Sequence, residues 1–586
     1  MARDDFKELK QAASFVNWTW RIGAGTLKLG VGAYQLAKAC EPPPEPKKID
    51  PMDGLATRDE LQNYTYDPDG FYLGRIHPDH GVNFESSLSS QDDRHVFIVA
   101  GSASGKGVTY GIQNAIRWKG PLFAIDPKGE MAEIAGSRRG TRQNARGSGS
   151  MVNQFVGQKV AILDPMGEVD GPAKKYRVNY DPMRDIDRRN VKQARRRIKR
   201  LASGCIIPEE GSNSHFSESA ETILAGAIEA VLWLEQPQDH SLPFVRQKIL
   251  GNKVKKQNGE RRETNFSNVD KALVPFERIL GTRRTQKIDD TLNGKDKEDI
   301  RIGFEALYDY LISDGVPDDG YAAEAASVIA EILGSDEGGS FRTTLSRNLK
   351  WLIDGYMQDH LKPSNFSLWE AIQEGWSVFI VLNPDDIGDF RNWLRMTTQL
   401  ALSAKMAMGK HQTGMQTLFF LDEFPVLGRF REIEQKAGYI RGYGVKLVPI
   451  IQNVGQLEEL YGKNWETFLG NAGAVIGWGF NDGGTEQYFS KRLGSIEIEQ
   501  TSTSTTTSTQ GLGASFSYSQ QDGRYDKLVR FPNQVREECA RETMRAFVIP
   551  ARGKAFTVER VAYMELEEER VYDSPEHIIQ WEKSYG

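Results

Sequence analysis

The chain has 586 residues, of which 39% are hydrophobic and 26% are charged, as in ordinary folded proteins. This length exceeds what one hydrophobic core usually organises, so we expect two or three domains. The formal net charge of −6 gives no sign of a nucleic-acid partner, so any DNA contact must come from local basic surface. Three widely spaced cysteines, Cys40, Cys205 and Cys539, argue against a disulfide scaffold and favour a reducing compartment.

The N-terminal segment contains the nearest candidate for a membrane-spanning helix, residues 15–39. It carries Arg21, Lys28 and Lys38 together with four glycines, so it is too polar to cross a bilayer, and it lacks the pattern of a signal peptide. An interfacial or partner-binding helix and an ordinary docking arm both remain open. We predict an N-terminal arm and a proline-rich linker over residues 1–50, with no clear transmembrane span.

Short apolar runs alternate with helical patterns along much of the chain. Residues 95–100 have the composition of a buried strand, and residues 108–118 have the pattern of a helix. This alternation predicts an α/β fold, a parallel sheet with helices on both faces. The other predicted strands span residues 122–125, 160–163, 378–382, 418–421, 446–451 and 474–477.

Two segments interrupt this pattern. Residues 185–365 show helical periodicity and almost no strand signal, which predicts a mostly helical domain inserted into the α/β domain. The middle of that segment, residues 246–300, is polar and rich in Lys, Arg and Gly, and we expect a long loop there. Residues 500–522 are rich in Ser, Thr, Gln and Gly, so we predict a mobile loop.

The first motif with chemical content lies between the predicted strand 95–100 and the helix that follows it. Small residues allow backbone N–H groups to converge on phosphate oxygens, the helix N-terminus adds partial positive charge, and Lys106 can reach the β- and γ-phosphates. An ordinary glycine-rich turn is the alternative. The predicted nucleotide-binding residues are Gly101, Ser102, Ala103, Ser104, Gly105, Lys106, Gly107 and Val108.

This motif departs at two positions from the usual phosphate-loop sequence G-x-x-x-x-G-K-[ST]. Ala100 replaces the first glycine, which is a mild change. Gly107 stands where a Ser or Thr usually ligates Mg²⁺. The metal must then be held by water, by Asp422 or by a shifted hydroxyl such as that of Thr109.

The second motif is an apolar run, residues 418–421, that ends in two acids. In a phosphate-loop fold the sheet brings such a pair beside the phosphates. Asp422 would hold Mg²⁺ through its water shell, and Glu423 would orient and deprotonate the attacking water. A strand followed by an acidic turn is the alternative for this run alone. Together with Lys106 in the same chain, the pair predicts an ATPase that uses ATP and Mg²⁺.

Two further polar residues flank the predicted strand 446–451. Arg441 precedes this strand and could stabilise phosphoryl charge from a neighbouring subunit, although a surface arginine is the plain alternative. Gln452 ends the strand and could sense the γ-phosphate or position water, against a simple turn contact. We predict Glu423, Arg441 and Gln452 as catalytic residues and Asp422 as the metal ligand.

Residues 70–564 resemble the type IV coupling proteins of conjugation and type IV secretion systems. The resemblance rests on a combination of motifs, since no single one is specific. The glycine at position 107, in the segment 104–108, is common in part of that family. The other matching elements are residues 126–130 (DPKGE), residues 422–428 (DEFPVLG), Gln452 with Gln456 and Leu457, Asn481 with Asp482, and the turn 490–494.

The resemblance implies a RecA-like P-loop ATPase domain with an inserted all-α domain. Residues 51–184 and 366–586 would be the two parts of the nucleotide-binding domain, and residues 185–365 the helical insertion. It also implies a homo-hexameric ring, in which Arg441 acts on the neighbouring subunit's site and Gln452 senses the nucleotide. The expected function is ATP-driven transfer of relaxase-bound DNA, expected to be single-stranded, or of protein substrates. The expected partners are relaxosome and secretion-channel proteins.

Most members of that family begin with transmembrane helices, whereas this sequence shows none. We therefore expect a cytoplasmic protein that is peripheral at the cytoplasmic face of the bacterial inner membrane. Within the matching segment 126–130, Lys128 and Glu130 could couple nucleotide state to the pore or to a subunit contact. A structural turn is the alternative for this segment.

Three segments could contact DNA. Residues 184–200 and 246–287 are dense in Lys and Arg, which could track phosphates, but a solvated helix face is the commoner explanation. The Ser/Thr tract that begins at Gln500 could line a pore, with plain disorder as the alternative. Two other functions stay open: a soluble hexameric DNA translocase not tied to secretion, and a nucleotide-gated adaptor that docks substrates and pumps nothing.

Overall fold

The computed structural model describes residues 54–76, 87–141, 155–209, 211–251, 294–410, 414–510 and 513–565. Most of these residues belong to one compact unit, residues 56–492 and 532–565, and residues 493–531 belong to a second. The predicted N-terminal arm, residues 1–50, lies outside the described residues. So does most of the predicted loop 246–300.

Most strands of the larger unit join into one sheet. In chain order the strands are β1 (Phe71–Ile76), β2 (Ser87–Ser90), β3 (His95–Ala100), β4 (Leu122–Asp126), β5 (Val160–Leu163), β6 (Ser377–Val381), β7 (Thr417–Leu421), β8 (Val445–Ile451), β9 (Ala472–Trp478), β10 (Ser495–Gln510), β11 (Gly513–Leu528), β12 (Arg545–Pro550) and β13 (Phe556–Glu559). Eleven of them form the sheet, in the order β2-β1-β13-β12-β9-β3-β8-β7-β4-β6-β5.

The strands that the sequence predicts, β3 to β9, form the parallel part of this sheet. Every residue in them is buried, as expected for strands covered on both faces. The register pairs Ile125 with Leu421 and Val99 with Ile451. The carboxyl ends of β3, β4, β7 and β8 therefore lie along one edge, and the predicted parallel sheet is confirmed for these strands.

The sheet continues beyond β9 as an antiparallel extension. β12 pairs with β9, and β13, β1 and β2 follow, each antiparallel to its neighbour. The sequence of β2, Ser-Leu-Ser-Ser, contains a single large apolar residue, so periodicity cannot mark it as a strand. The sheet is thus mixed, and the predicted parallel strands form its larger part.

Helices connect most of the strands and make up much of the described chain between β5 and β6. No strand occurs among the described residues of that segment, in agreement with its helical periodicity. In the described ranges, no helix combines the length and the apolar character needed to cross a lipid bilayer. The α-helices are α1 (Arg58–Leu61), α2 (Ile112–Arg117), α3 (Glu130–Arg139), α4 (Val191–Cys205), α5 (Ser214–Leu234), α6 (Leu242–Leu250), α7 (Gly294–Leu311), α8 (Tyr321–Leu333), α9 (Gly338–Asn348), α10 (Gly355–His360), α11 (Leu368–Gln373), α12 (Ile387–Ala407), α13 (Arg431–Lys436), α14 (Val454–Tyr461), α15 (Trp465–Gly470), α16 (Gly483–Leu493) and α17 (Pro532–Glu538).

The second unit contains a long antiparallel hairpin of β10 and β11, which corrects the predicted mobile loop at residues 500–522. The register runs from the pair Ser495 and Leu528 to the pair Gln510 and Gly513. A strand pair is held by backbone hydrogen bonds along its length, and the branched Cβ of its many threonines favours extended backbone. A shortage of large apolar side chains therefore argues against a packed core but not against such a ladder.

Candidate functional site

The segment between β3 and the next helix is a tight loop whose backbone requires small residues. Ala103 and Gly105 have left-handed backbone, with φ of 54° and 83°, which is uncommon for alanine. A Cβ on Gly101 would lie 2.1 Å from the carbonyl oxygen of Gly479, so only glycine fits there. By contrast, a Cβ on Gly107 would meet nothing within 4 Å. Open space therefore surrounds the residue that begins the helical turn after the loop.

Three residues predicted from the sequence meet where β3, β7 and β8 end. The Nζ of Lys106 lies 3.4 Å from Oε2 of Glu423, and the Gln452 side chain donates a hydrogen bond of 2.7 Å to Oε1 of Glu423. The backbone N–H of Gln452 in turn donates to Oε1 of Gln456 at 2.8 Å. Glu423 has a left-handed φ of 60°, a strain of roughly 1–3 kcal/mol for such a residue that is typical of functional sites.

Two carboxyl groups lie beside this cluster, after β7 and at the end of β4. Burial raises the pKa of Asp126 to about 7, and the like charge of Asp422 adds to this shift. Burial also raises the pKa of Asp422 to about 6, against the opposing effect of the Lys106 ammonium. The backbone N–H of Ala132 donates to Oδ2 of Asp126 at 2.8 Å. The sequence motif that begins at Asp126 was recognised, but the closeness of its carboxyl to the site was not predicted. The position of Asp126 at the end of a strand could have indicated it.

The hydroxyl of Thr109, one alternative for the missing metal ligand, is already engaged. It donates a hydrogen bond of 2.9 Å to the carbonyl oxygen of Gly105, and the residue is buried. This contact lies within the first turn of the helix. The hydroxyl oxygen keeps its lone pairs in this bond, so Thr109, Asp422 and water all stay open as ways of holding Mg²⁺.

Arg441 lies at the opposite edge of the sheet. It belongs to the turn Ile440–Tyr443, just before β8, whereas Gln452 follows the far end of the same strand. A strand of this length spans roughly 20 Å, so Arg441 does not join the cluster around Lys106. Its guanidinium lies 3.4 Å from Oδ1 of Asp93, and 45% of its side chain is exposed.

Support for the backbone of the predicted phosphate loop comes from two residues that the sequence did not single out. The side chains of Trp478 and Arg560 both donate hydrogen bonds to the carbonyl oxygen of Ser104. Both residues are buried. A buried arginine is indistinguishable from a surface arginine in a sequence, so no pattern could have marked Arg560.

The basic segment 184–200 is partly engaged within the protein. Arg195 forms an ion pair with the buried Glu229, and Arg197 packs over the ring of Trp369. The hypothesis of a DNA contact here therefore rests on the exposed basic residues alone, which are Arg184, Arg188, Arg189, Lys192, Arg196 and Lys199.

Comparison with known families shows to which family the chain belongs. A model of the family described as Type IV secretory system Conjugative DNA transfer matches residues 57–563, which is most of the chain. The chain therefore belongs to this family, and the resemblance drawn from the motifs is confirmed.

The relatives are distant in sequence. Protein VirD4 of Rhizobium rhizogenes is 22% identical over 423 residues, which cover 72% of this chain and 52% of the relative. The conjugal transfer protein TraG of Escherichia coli is 23% identical over 428 residues, which cover 70% of this chain and 56% of the relative. The chain thus spans about half the length of the curated relatives it matches.

Solved structures share the fold. The plasmid coupling protein TrwB in complex with ADP and Mg²⁺ matches with a TM-score of 0.52 and 14% identity, covering 87% of this chain and 93% of TrwB. TrwB in complex with the non-hydrolysable ATP analogue ADPNP matches with a TM-score of 0.52 and 13% identity, at the same coverage. At such low identity the likeness establishes the α/β fold with its large central parallel sheet.

Proposed function

We propose that this protein is an ATP-hydrolysing coupling protein that links relaxase-bound DNA, or a protein substrate, to a type IV secretion or conjugation channel and drives its transfer. The observation that carries the proposal is the cluster of Lys106, Glu423 and Gln452 at the carboxyl ends of three neighbouring strands. This cluster occurs in a chain of the conjugative DNA transfer family, whose relatives include VirD4 and TraG.

The loop after β3 suits the phosphates of ATP. Its left-handed residues Ala103 and Gly105 and the open space at Gly107 favour a cradle of N–H groups at a helix start, to which Lys106 adds positive charge. The TrwB complexes with ADPNP and with ADP and Mg²⁺ support a nucleotide of this kind. We therefore assign residues 101–108 to the nucleotide, as the phosphate loop of a RecA-like P-loop ATPase domain.

The acidic edge of the site suits Mg²⁺. This ion is usually held by one or two carboxylates together with waters and phosphate oxygens, so it needs no larger cage of protein ligands. Asp422, with its pKa of about 6, is mostly ionised at neutral pH and would hold the ion. The Asp126 carboxyl, whose pKa is about 7, would become more fully ionised next to a cation. When bound, Mg²⁺ neutralises charge on the phosphate oxygens.

Each member of the cluster has a task in the proposed hydrolysis. Glu423 accepts a proton from the attacking water, and Gln452 fixes the orientation of Glu423 through the bond from Nε2 to Oε1. The Lys106 ammonium lies next to Oε2 of Glu423. The greater negative charge of a triphosphate would draw the Lys106 ammonium away, which frees Oε2 of Glu423 for the water.

Arg441 would complete the site from a neighbouring copy of the chain. Arg441 lies at the edge of the sheet opposite to Lys106. This position supports a role in the nucleotide site of a neighbouring subunit, as for an arginine supplied in trans. A closed homo-hexameric ring would repeat this contact at every interface.

The remaining assignments follow from family membership and chain order. The helices between β5 and β6 would form an inserted all-α domain over residues 185–365, and residues 51–184 and 366–586 would form the two parts of the nucleotide-binding domain. Single-stranded DNA, relaxosome proteins and secretion-channel proteins are the proposed partners. The proposed location is the cytoplasmic face of the bacterial inner membrane, as a peripheral protein.

ATP turnover by the purified protein tests this function. Turnover should rise when single-stranded DNA is added, and both Lys106→Ala and Glu423→Gln should lower it strongly. Lys174→Ala is a matched control, because this exposed lysine lies in a surface ion pair with Asp170. Equal turnover by all four proteins, without stimulation by DNA, would contradict the proposal.

A transfer assay in cells separates the coupling role from its two alternatives. Wild-type protein should restore plasmid transfer to a conjugation system that lacks its coupling protein, and Lys106→Ala should not. A translocase not tied to secretion would hydrolyse ATP on DNA but restore no transfer. A nucleotide-gated docking adaptor would support transfer with Glu423→Gln, which should bind ATP without hydrolysing it, as well as with the wild type.

A further inference from the structure

The phosphate loop is anchored by two side chains from other parts of the chain. Nε1 of Trp478 and Nη1 of Arg560 each donate a hydrogen bond of 2.9 Å to the carbonyl oxygen of Ser104. Trp478 ends β9, the strand beside β3, and Arg560 follows β13 in the antiparallel extension. The loop is therefore tied both to the parallel sheet and to its extension.

These two hydrogen bonds determine where one backbone donor points. A trans peptide unit is planar, so its C=O and N–H groups point in opposite directions. The carbonyl of Ser104 and the N–H of Gly105 belong to the same peptide unit. Since the oxygen is held toward Trp478 and Arg560, the Gly105 N–H is turned to the opposite side of the loop. That N–H immediately precedes Lys106.

Arg560 also brings a positive charge close to the loop. Its other nitrogens donate to the carbonyl oxygens of Arg541 and Arg545, and its guanidinium lies 5.2 Å from the centre of the Trp478 ring. Within the described ranges no carboxylate forms an ion pair with Arg560, although the Glu542 charge acts on it from a distance, and the residue is only 2% exposed. A buried charge without an opposite partner is costly, and an anion bound nearby would offset part of that cost.

We propose that Arg560 and Trp478 are positioning residues for the nucleotide phosphates. They hold the Ser104 carbonyl so that the Gly105 N–H faces the phosphates, and the charge of Arg560 raises the affinity for the polyanion. This inference rests on the proposed function, because it needs a nucleotide in the loop. It adds that the antiparallel extension, through Arg560, sets the nucleotide affinity of the parallel sheet.

Another buried arginine allows this role to be separated from general stability. Arg139 is also fully buried, and it donates to the carbonyl oxygens of Ala115 and Trp118. It further donates to the hydroxyl of Ser377, the first residue of β6, so it lies at the edge of the sheet opposite to the loop. Loss of Arg139 should weaken the fold without changing the phosphate loop.

The test measures the affinity of the full-length protein for ATP, ADP and AMP by titration calorimetry, with thermal unfolding recorded in parallel. Arg560→Lys keeps the charge but loses the fork of donors, and Trp478→Phe keeps an aromatic ring but loses the N–H. Each variant should weaken ATP and ADP binding by about tenfold, the size expected for a lost hydrogen bond near a charged group. AMP binding should change less, because AMP has one phosphate. Arg139→Lys should lower the unfolding midpoint and leave the ATP affinity unchanged.

Two results would overturn the inference. The first is that Arg560→Lys and Trp478→Phe lower the unfolding midpoint but bind ATP as tightly as the wild type. The second is that ATP and AMP binding weaken equally, which would mean a general distortion. If Arg560→Lys does not fold, Trp478→Phe decides alone, since it removes a single donor. Wild-type protein that binds ATP no better than Lys106→Ala would instead refute the proposed function itself, and the inference with it.

Discussion

The two ends of β8 differ in the side chains that lie beside them: one end adjoins a network of polar side chains, and the other an exposed ion pair. After its carboxyl end, Gln452 joins Lys106 and Glu423 in a network that one chain provides by itself. Before its amino end, Arg441 pairs with Asp93, and 45% of the arginine side chain and 68% of the aspartate side chain are exposed. The same strand therefore leads from a preassembled cluster to a solvent-exposed cation.

This difference indicates which parts of the site form within one subunit and which would require contact with a neighbouring subunit. An exposed ion pair contributes only about 0–1 kcal/mol, so Asp93 holds Arg441 weakly. A phosphate on a neighbouring copy could draw Arg441 away at little cost. The carboxyl edge of the sheet would then bind nucleotide in a single subunit, while hydrolysis would require two.

Replacement of Arg441 should have the largest effect on catalysis. Arg441→Ala should lower kcat by about 10³–10⁵-fold, the range for an arginine that acts in trans, and leave ATP affinity unchanged, because the residue lies far from the phosphate loop. Steady-state turnover and titration calorimetry measure the two quantities. Asp93→Ala is the control and should retain activity, since it removes only the resting partner. A loss of ATP affinity in Arg441→Ala would place the arginine in its own subunit's site.

Replacement of Glu423 should come next. Glu423→Gln keeps the size of the side chain but cannot accept a proton, so kcat should fall by about 10²–10⁴-fold while ATP still binds. Single-turnover hydrolysis of radiolabelled ATP gives the chemical step directly. Hydrolysis at the wild-type rate would mean that another group activates the water.

Loss of Gln452 should have a smaller effect, because it acts through Glu423. Gln452→Ala removes a hydrogen bond to a charged group, worth about 1.5–3 kcal/mol, so kcat should fall by about 10–100-fold. Gln456→Ala removes only the support of the Gln452 backbone and should cost less. Steady-state assays check whether Gln452→Ala lowers kcat more than Gln456→Ala does. An equal loss of kcat in both would argue that the whole turn is disturbed.

Protonation of Asp422 should give the mildest effect, visible as a dependence on pH. With its pKa at about 6, the carboxyl loses its charge below that pH, so activity at limiting Mg²⁺ should fall as pH drops through about 6. The pKa of Asp422 is higher in the folded protein than in the unfolded chain. Its protonated form therefore stabilises the fold in acid, and this stability is lost as pH rises through about 6. Asp422→Asn should therefore raise the unfolding midpoint above that pH and leave it unchanged in acid. An unchanged midpoint at all pH values would contradict the shift.

The parallel sheet and the carboxyl-end cluster could be predicted because both depend on local pattern. Each buried strand is a short apolar run, and Lys106 and Glu423 each follow such a run directly or within one loop. Parallel strands end at a common edge, so the motifs had to meet. Chain order also placed Arg441 before β8 and Gln452 after it.

The remaining features either have no apolar pattern or depend on contacts between distant parts of the chain. The strand β2 has too few apolar residues to be recognised, and it forms because β1 offers it a free edge. The hairpin of β10 and β11 is held by backbone pairing rather than by an apolar pattern. Arg560 meets Ser104 across more than four hundred residues of sequence, so its burial becomes visible only in the fold.

The central claim is that one copy of the chain supplies Lys106 and Glu423 and its neighbour supplies Arg441. Mixing two inactive variants, Lys106→Ala and Arg441→Ala, tests it most directly. In a randomly mixed ring, about a quarter of the interfaces would combine an intact Lys106 with an intact Arg441 from the other subunit. We predict that ATP turnover reappears in the mixture, while each variant alone stays inactive. A mixture as inactive as its components, with mixed assembly confirmed by co-purification of differently tagged copies, would contradict the account.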